Sequence, residues 1–193
     1  MVNIGNGPYV IDNFLKEDIL SSVNNIFKTT GWHYSNQAYE ESFSKFWIQK
    51  YYHNSSPHEK TESKAELNRN IHVLNNVIFN QIKKVFKREL LLLRVHANGQ
   101  TYGQDGDWHE DVGVEYNGNS YSCIIYMTPN INNENAYTYG GCTQIKIDKS
   151  ILSIEPVYNR AVIFKSINSH RALCFNREIT DLRISLSFIF EVL

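Results

Sequence analysis

The sequence predicts a mostly β domain with helices gathered toward its N-terminus, an α+β chain whose second half forms a sandwich or jelly roll. Three observations predict it. Leu67, Ile71, Leu74, Ile78, Ile82 and Val85 recur at helical spacing in the first half. From residue 90 onward, short runs rich in β-branched and aromatic residues alternate with Asn- and Gly-rich turns. No alternation of strand and crossover helix, which a parallel sheet requires, follows residue 90. At 193 residues, 42% hydrophobic and 13% aromatic, the chain is long enough to bury a sizeable core as one domain. A single domain over 1–193 is expected, with 1–89 as helical support and 90–193 as the jelly-roll core.

Taken in order, Val10 to Phe14 reads as a short apolar strand. Ile19, Val23, Ile26 and Phe27 then mark a helix, which Gly31 is placed to end. Trp32 to Tyr52 mixes aromatics with Ser and Asn and shows no clear period. Ser56-Pro-His-Glu59 has the form of a helix start, and Ser63 with Glu66 offers a second capping box. The apolar stripe that follows is suited to packing on a sheet. Strands are expected at Leu90 to Ala97, Tyr121 to Met127, Cys142 to Ile147, Ile151 to Ile154, Ala161 to Phe164 and Ile184 to Phe190. Asn130 to Tyr139 reads as a polar loop closed by the flexible pair Gly140-Gly141.

Charge and cysteine usage narrow the function classes. A formal net charge of −1 gives no electrostatic footprint for nucleic acid. The basic cluster Lys83, Lys84, Lys87 and Arg88 suits the negative end of a helix. No apolar stretch is long enough to span a bilayer, so no membrane partner is expected. Met1-Val-Asn-Ile-Gly lacks the basic region and apolar core of a secretory leader. Cys123, Cys142 and Cys174 form no C-x-x-C pair, and a reducing, cytoplasmic setting fits them.

The chemistry is concentrated in His109-Glu-Asp111 and the distant His170, 59 residues further on (170 − 111). Residues i and i+2 of a strand share a face, so His109 and Asp111 can reach one metal from a single strand end. Two imidazoles and one carboxylate form the facial triad that holds Fe(II) with three positions open. Arg183 lies beyond the second histidine, where it can hold the far carboxylate of a co-substrate. His33, His53, His58 and His72 lack motif context, whereas His96 lies close enough in sequence to be a pocket residue. Trp32, Tyr34, Trp47, Tyr137 and Tyr139 are surface aromatics that could form part of a lid.

These residues sit in segments that resemble the 2-oxoglutarate/Fe(II) oxygenases, specifically the prolyl 4-hydroxylase-like branch. Tyr9-Val-Ile-Asp-Asn-Phe-Leu15 resembles the family's opening strand and helix lead-in. Arg94-Val-His-Ala-Asn-Gly-Gln-Thr-Tyr102 is similar to the strand before the metal site, and Ser122-Cys-Ile-Ile-Tyr126 to the next core strand. Gly140-Gly-Cys-Thr143 resembles the G-G-x-T turn, and Ile154-Glu-Pro-Val-Tyr-Asn-Arg-Ala-Val-Ile-Phe164 the segment before the distal histidine. Asp181-Leu-Arg-Ile-Ser-Leu-Ser-Phe188 resembles the final strand with its arginine.

The resemblance implies a distorted double-stranded β-helix backed by helices. It implies Fe(II) on His109, Asp111 and His170, which are then the catalytic residues as well. The co-substrates would be 2-oxoglutarate and O2, with ascorbate as a possible reductant. Arg183 would pair with the C5 carboxylate of 2-oxoglutarate, assisted by Tyr126 and Ser185, with Tyr102 lining the co-substrate pocket. The reaction implied is hydroxylation of an unactivated C–H, with succinate and CO2 as co-products. Halogenating relatives lack the ligand carboxylate, which Asp111 retains here. The leading substrate is a prolyl residue of a peptide or protein, and the rival is a free amino acid or other small molecule. Readings from other classes are a cupin-like metal-dependent hydrolase or isomerase and a catalytically silent binding module. The chain departs from close prolyl hydroxylases at His96 (often Tyr), at the insertion Gly103 to Asp107, in the His170–Arg183 spacing, and at Ile189 (often Trp). These departures leave the iron site intact and bear on the substrate.

Overall fold

The computed structural model describes residues 7–54, 72–112 and 119–193. The chain opens with β1 (Tyr9–Ile11) and α1 (Glu17–Thr29), followed by β2 (His33–Asn36) and β3 (Phe46–His53). A π-helical turn (Val73–Ile78) leads directly into α2 (Phe79–Phe86). Then come β4 (Leu90–Gln100), β5 (Ser120–Tyr126), the single turn α3 (Ala136–Tyr139), β6 (Thr143–Ile147) and β7 (Ser150–Ile154). β8 (Ala161–Lys165), β9 (His170–Ala172) and β10 (Arg183–Val192) complete the fold. The proposed caps at Ser56 and Ser63, together with His58, Leu67 and Ile71, lie outside the described residues.

The strands form two sheets, and all the strand pairs described are antiparallel. The larger has the order β1-β8-β5-β10-β4-β3-β2, the smaller β7-β6-β9. The expected division at residue 89 is therefore corrected. β1, β2 and β3 from the first half all join the larger sheet, and β3 pairs with β4 from Trp47 opposite Gly99 to His53 opposite Arg94.

Alternation along the central strands decides what each face of the large sheet meets. In β10, Leu186, Phe188 and Phe190 point one way, and Arg183, Ser185 and Ser187 point the other. In β4, Val95 and Ala97 alternate with Arg94, His96, Asn98 and Gln100. The apolar set packs with Val23, Ile26 and Phe27 of α1 and Phe79, Ile82 and Phe86 of α2 in one core. Burial of each large apolar side chain there contributes about 1.5–3 kcal/mol. The polar set faces the smaller sheet. A second cluster of Ile124, Tyr126, Val162 and Phe164 from the large sheet with Ile145 from the small one joins the two at one side.

Local departures have local causes. α1 starts with Glu17 and Asp18 against its positive end and stops when Thr30 turns extended, so Gly31 is not used as a left-handed cap. Lys87, at φ 53°, caps α2 instead. The buried stripe runs Leu74, Ile78, Ile82 and Phe86 at i+4 steps, so Phe86 is buried where Val85 is only partly so. Among the described residues, no helix is long and apolar enough to cross a membrane.

Candidate metal centre

His109 and His170 lie directly opposite each other in an isolated antiparallel bridge. Each donates its backbone N–H to the other's carbonyl, at 3.0 and 2.9 Å. This cross-link brings the imidazoles together, with ring centroids 4.4 Å apart. Asp111 is anchored by its own N–H on Ser166 O at 3.0 Å, and its Oδ2 comes within 3.5 Å of His170 Nε2. One donor atom from each of His109, Asp111 and His170 lies within 4.8 Å of the others. The pair is not on a regular strand end, as the i, i+2 argument assumed. His109 sits in the bridge and Asp111 in a bend, and the bridge to β9 supplies the alignment.

Outer contacts orient each candidate ligand. His109 Nδ1 faces the Asp107 carbonyl at 2.9 Å, and His170 Nδ1 faces the Asn168 carbonyl at 3.0 Å. With both Nδ1 atoms so engaged, each Nε2 is left to bind a metal, the arrangement that fixes tautomer and ring direction in metal sites. Asp111 accepts from Ser122 Oγ at 2.6 Å on Oδ2 and from Arg94 Nη2 at 3.1 Å on Oδ1. Burial alone would raise the Asp111 pKa, but His170, Arg94, His109 and Ser122 outweigh it and hold the carboxyl at about 2. Burial pushes the His170 pKa down, against the opposing pull of Asp111. A carboxylate and neutral imidazoles are the protonation states that metal binding requires.

Arg183 is 1% exposed and fully enclosed on the polar face of the sheet. Its Nε donates to Gly141 O at 2.7 Å, Nη1 to Gln100 Oε1 at 3.0 Å and Nη2 to Thr143 Oγ1 at 3.0 Å. One N–H on each terminal nitrogen is left over, which is the fork a carboxylate accepts. Tyr126 lies beneath it, with its ring centroid 5.5 Å from the guanidinium carbon and its hydroxyl donating to Ile154 O at 3.3 Å. The turn that presents Gly141 to Arg183 has φ 71° at both Gly140 and Gly141. A Cβ on Gly141 would lie 2.5 Å from Phe175 Cδ1. The glycine pair is thus a required turn rather than a flexible hinge.

The triad and Arg183 open onto one cavity of about 710 Å³, whose wall includes Ser185, Thr143, Ile124, His96 and residues of β3. Ser185 lies in that wall as the spacing suggests. Tyr102 does not. It is 62% exposed in a turn, because the insertion after it carries the chain away before returning at His109. Of the lid aromatics, Tyr34 packs at a tilt against Trp47 at 5.0 Å and Tyr139 meets Phe175 edge-to-face at 5.7 Å, and none of the five lines the cavity. Asn36, Gln37, Ala38 and Phe46 do so instead. His96 is in the wall and neutral, its pKa pushed by burial down to about 3. His53, which had no motif context, reaches the wall as well, while His33 and His72 are exposed outside it.

Sequence reasoning missed the grip of Arg94 and Ser122 on Asp111, the hold of Gln100 on Arg183, and Lys50. The alternation R-V-H-A-N-G-Q from Arg94 to Gln100 was the available signal. Four polar side chains on one face of a buried strand need partners, and two of them, Arg94 and Gln100, find theirs in the functional groups Asp111 and Arg183.

Residues 93–191, just over half of the chain, match the 2OG-Fe(II) oxygenase superfamily. No curated protein matches the sequence. Among solved structures, the chain is similar to an oxidoreductase of the 2OG-Fe(II) oxygenase family from Burkholderia pseudomallei (TM-score 0.75, 10% identity, 96% of this chain and 85% of that one). It is similar to a prolyl hydroxylase from Trichoplax adhaerens, solved with a hypoxia inducible factor peptide fragment (TM-score 0.65, 16% identity, 97% and 84%). A Pseudomonas putida prolyl-4-hydroxylase gives TM-score 0.64 at 18% identity over 97% and 93%. The chain belongs to the 2OG-Fe(II) oxygenase superfamily, as a 2-oxoglutarate-dependent dioxygenase with a prolyl 4-hydroxylase-like fold.

Proposed function

We propose that this dioxygenase hydroxylates an unactivated C–H bond of a prolyl residue in a peptide or protein, with Fe(II) on His109, Asp111 and His170. One observation carries the assignment of the site: two free imidazole Nε2 atoms and one ionised carboxylate share a cavity with a buried arginine. That donor set is the facial triad of non-haem Fe(II) oxygenases. When bound, Fe(II) with 2-oxoglutarate and O2 supplies decarboxylation to succinate and CO2 coupled to hydroxylation.

The chain's own residues bind and orient. Arg183 receives the C5 carboxylate on its two remaining N–H groups. Tyr126 and Ser185 flank it, and Thr143 and Gln100 keep the fork from turning. Arg94 keeps Oδ1 of Asp111 occupied, so that Oδ2 is the oxygen presented toward His170. Tyr102 has no part in this arrangement. The prolyl substrate is supported by the family branch and by the two prolyl hydroxylases whose fold the chain shares.

The test is an anaerobic titration of the protein with Fe(II) and then 2-oxoglutarate, followed by visible absorption, beside Arg183→Ala. A broad charge-transfer band that weakens in the variant is expected. Tight metal binding with no band would sink the oxygenase assignment of this site and favour a cupin-like hydrolase or isomerase.

A further inference from the structure

We propose that the cavity has a second anion-accepting station, centred on Lys50, that receives a carboxylate of the molecule being hydroxylated. This rests on the site assignment above and names the class of its primary substrate. Lys50 lines the cavity and lies directly opposite His96 across the β3–β4 pair. It has no ion-pair or hydrogen-bond partner among the described residues. The wall's other cations are engaged, Arg94 by Asp111 and Arg183 by Gly141, Gln100 and Thr143.

The polar face of β4 beside Lys50 carries three buried atoms without a partner: Arg94 Nε, His96 Nδ1 and Asn98 Oδ1. Buried polar atoms in native proteins are almost always paired, so three along one wall of one cavity mark a place built for a ligand. Their chemistry leans to donors. Arg94 Nε carries a hydrogen, His96 Nδ1 carries one in the matching tautomer, and the Asn98 amide turned over presents its NH2. A lysine ammonium with adjacent N–H donors is complementary to a carboxylate. Glu110 is also in the wall and is exposed, as Lys50 is, but the orphaned polar atoms lie on β4, where His96 is directly opposite Lys50.

This station is separate from the seat of 2-oxoglutarate. Arg183 pairs with Gln100, and Lys50 with His96, four residues and about 13 Å further along β4. Lys50 is also two strands from Arg183, a further ~10 Å across the sheet. A five-carbon diacid anchored on Arg183 does not reach it. The carboxylate can belong to a free acid, such as an amino acid or its N-acyl derivative, or to an acidic residue beside the target in a peptide.

The experiment is calorimetric binding to the Mn(II)- and 2-oxoglutarate-loaded protein of two matched pairs of probes. One pair is N-acetyl-L-proline and N-acetyl-L-prolinamide. The other is a capped Pro-Glu dipeptide and its Pro-Gln counterpart. In at least one pair the carboxylate member is expected to bind about tenfold tighter, the worth of one charge-assisted hydrogen bond. The pair that shows it identifies the source of the carboxylate. Lys50→Gln should bring that ratio to near one and Lys50→Arg should retain it, while the affinity of both variants for 2-oxoglutarate stays within about twofold of the parent because the two stations are separate. Equal binding within both pairs, no binding of any probe, or a preference that survives Lys50→Gln would each overturn the proposal. Failure of 2-oxoglutarate itself to bind would instead overturn the site assignment.

Discussion

Gly141→Ala tests the seat of Arg183 through the backbone that holds it. Two costs are separable. The first is the left-handed φ of 71°, which an alanine adopts at about 1–2 kcal/mol. The second is steric. The added methyl would come within 2.5 and 2.6 Å of the Phe175 ring, which is buried and cannot swing out. Overpacking of this kind costs about 1–3 kcal/mol. The sum, about 2–5 kcal/mol, lowers the Tm by about 5–15 °C for a domain of this size. Gly103→Ala is the control. Its φ is 81°, but open space surrounds it, so only the backbone cost of about 1–2 kcal/mol applies. Any shift of the turn also moves the Gly141 carbonyl off Arg183 Nε, a 2.7 Å bond. Gly141→Ala should therefore weaken 2-oxoglutarate binding by roughly tenfold or more, and Gly103→Ala should leave it unchanged. Urea unfolding and 2-oxoglutarate titration of both variants read the two effects. If Gly141→Ala unfolds like Gly103→Ala and binds 2-oxoglutarate like the parent, the turn does not position Arg183 and the reasoning fails.

Arg94→Gln and Ser122→Ala each remove one partner of the Asp111 carboxylate, and metal affinity should fall by about 10–100-fold in each, measured by Fe(II) or Co(II) titration. In the metal-free protein, the Asp111 carboxyl is held at about 2 against its ordinary 3.8. The folded state thus binds fewer protons than the unfolded state at low pH. The stabilisation, about 2 kcal/mol, is present above pH ~4 and is lost as pH falls toward 2. Urea unfolding from pH 6 to 2.5 should show this slope, and Asp111→Asn should flatten it. Trp108 lies next to His109, with Lys146 4.3 Å and Arg171 4.8 Å from its ring centre. Trp108→Ala should cost about 1–3 kcal/mol of stability and loosen metal binding, whereas Trp108→Phe should recover most of both.

The strands that were legible are those whose period is set locally. β4, β5, β8 and β10 are runs buried along nearly their whole length and rich in apolar, aromatic or β-branched residues, and in β6 alternation places Thr143 and Ile145 inward. β3 was illegible for a physical reason. A bulge between Lys50 and Tyr52 breaks the alternation. Buried Gln49 reads as a surface residue until its bonds to Phe27 O and Thr30 O are seen. β2 is short and largely exposed, and β9 has only three residues. Neither carries enough periodic signal to register. Conversely, Gly31 looked like a helix stop and is not used as one, because Thr30 already leaves the helix in extended conformation.

The donor chemistry of the site was present in the linear order of residues: two histidines, one aspartate and one arginine, with nothing else in the chain offering that set beside the matching segments. Residue type dictates which atoms can bind a cation or a carboxylate, so that much needs no coordinates. Which atoms meet is another matter. The pairing of His109 with His170, the contact of Arg94 with Asp111 and the position of Lys50 beside His96 all join residues far apart in sequence. Such contacts depend on strand register and on a bulge, which the whole sheet sets cooperatively, and only the tertiary structure decides them.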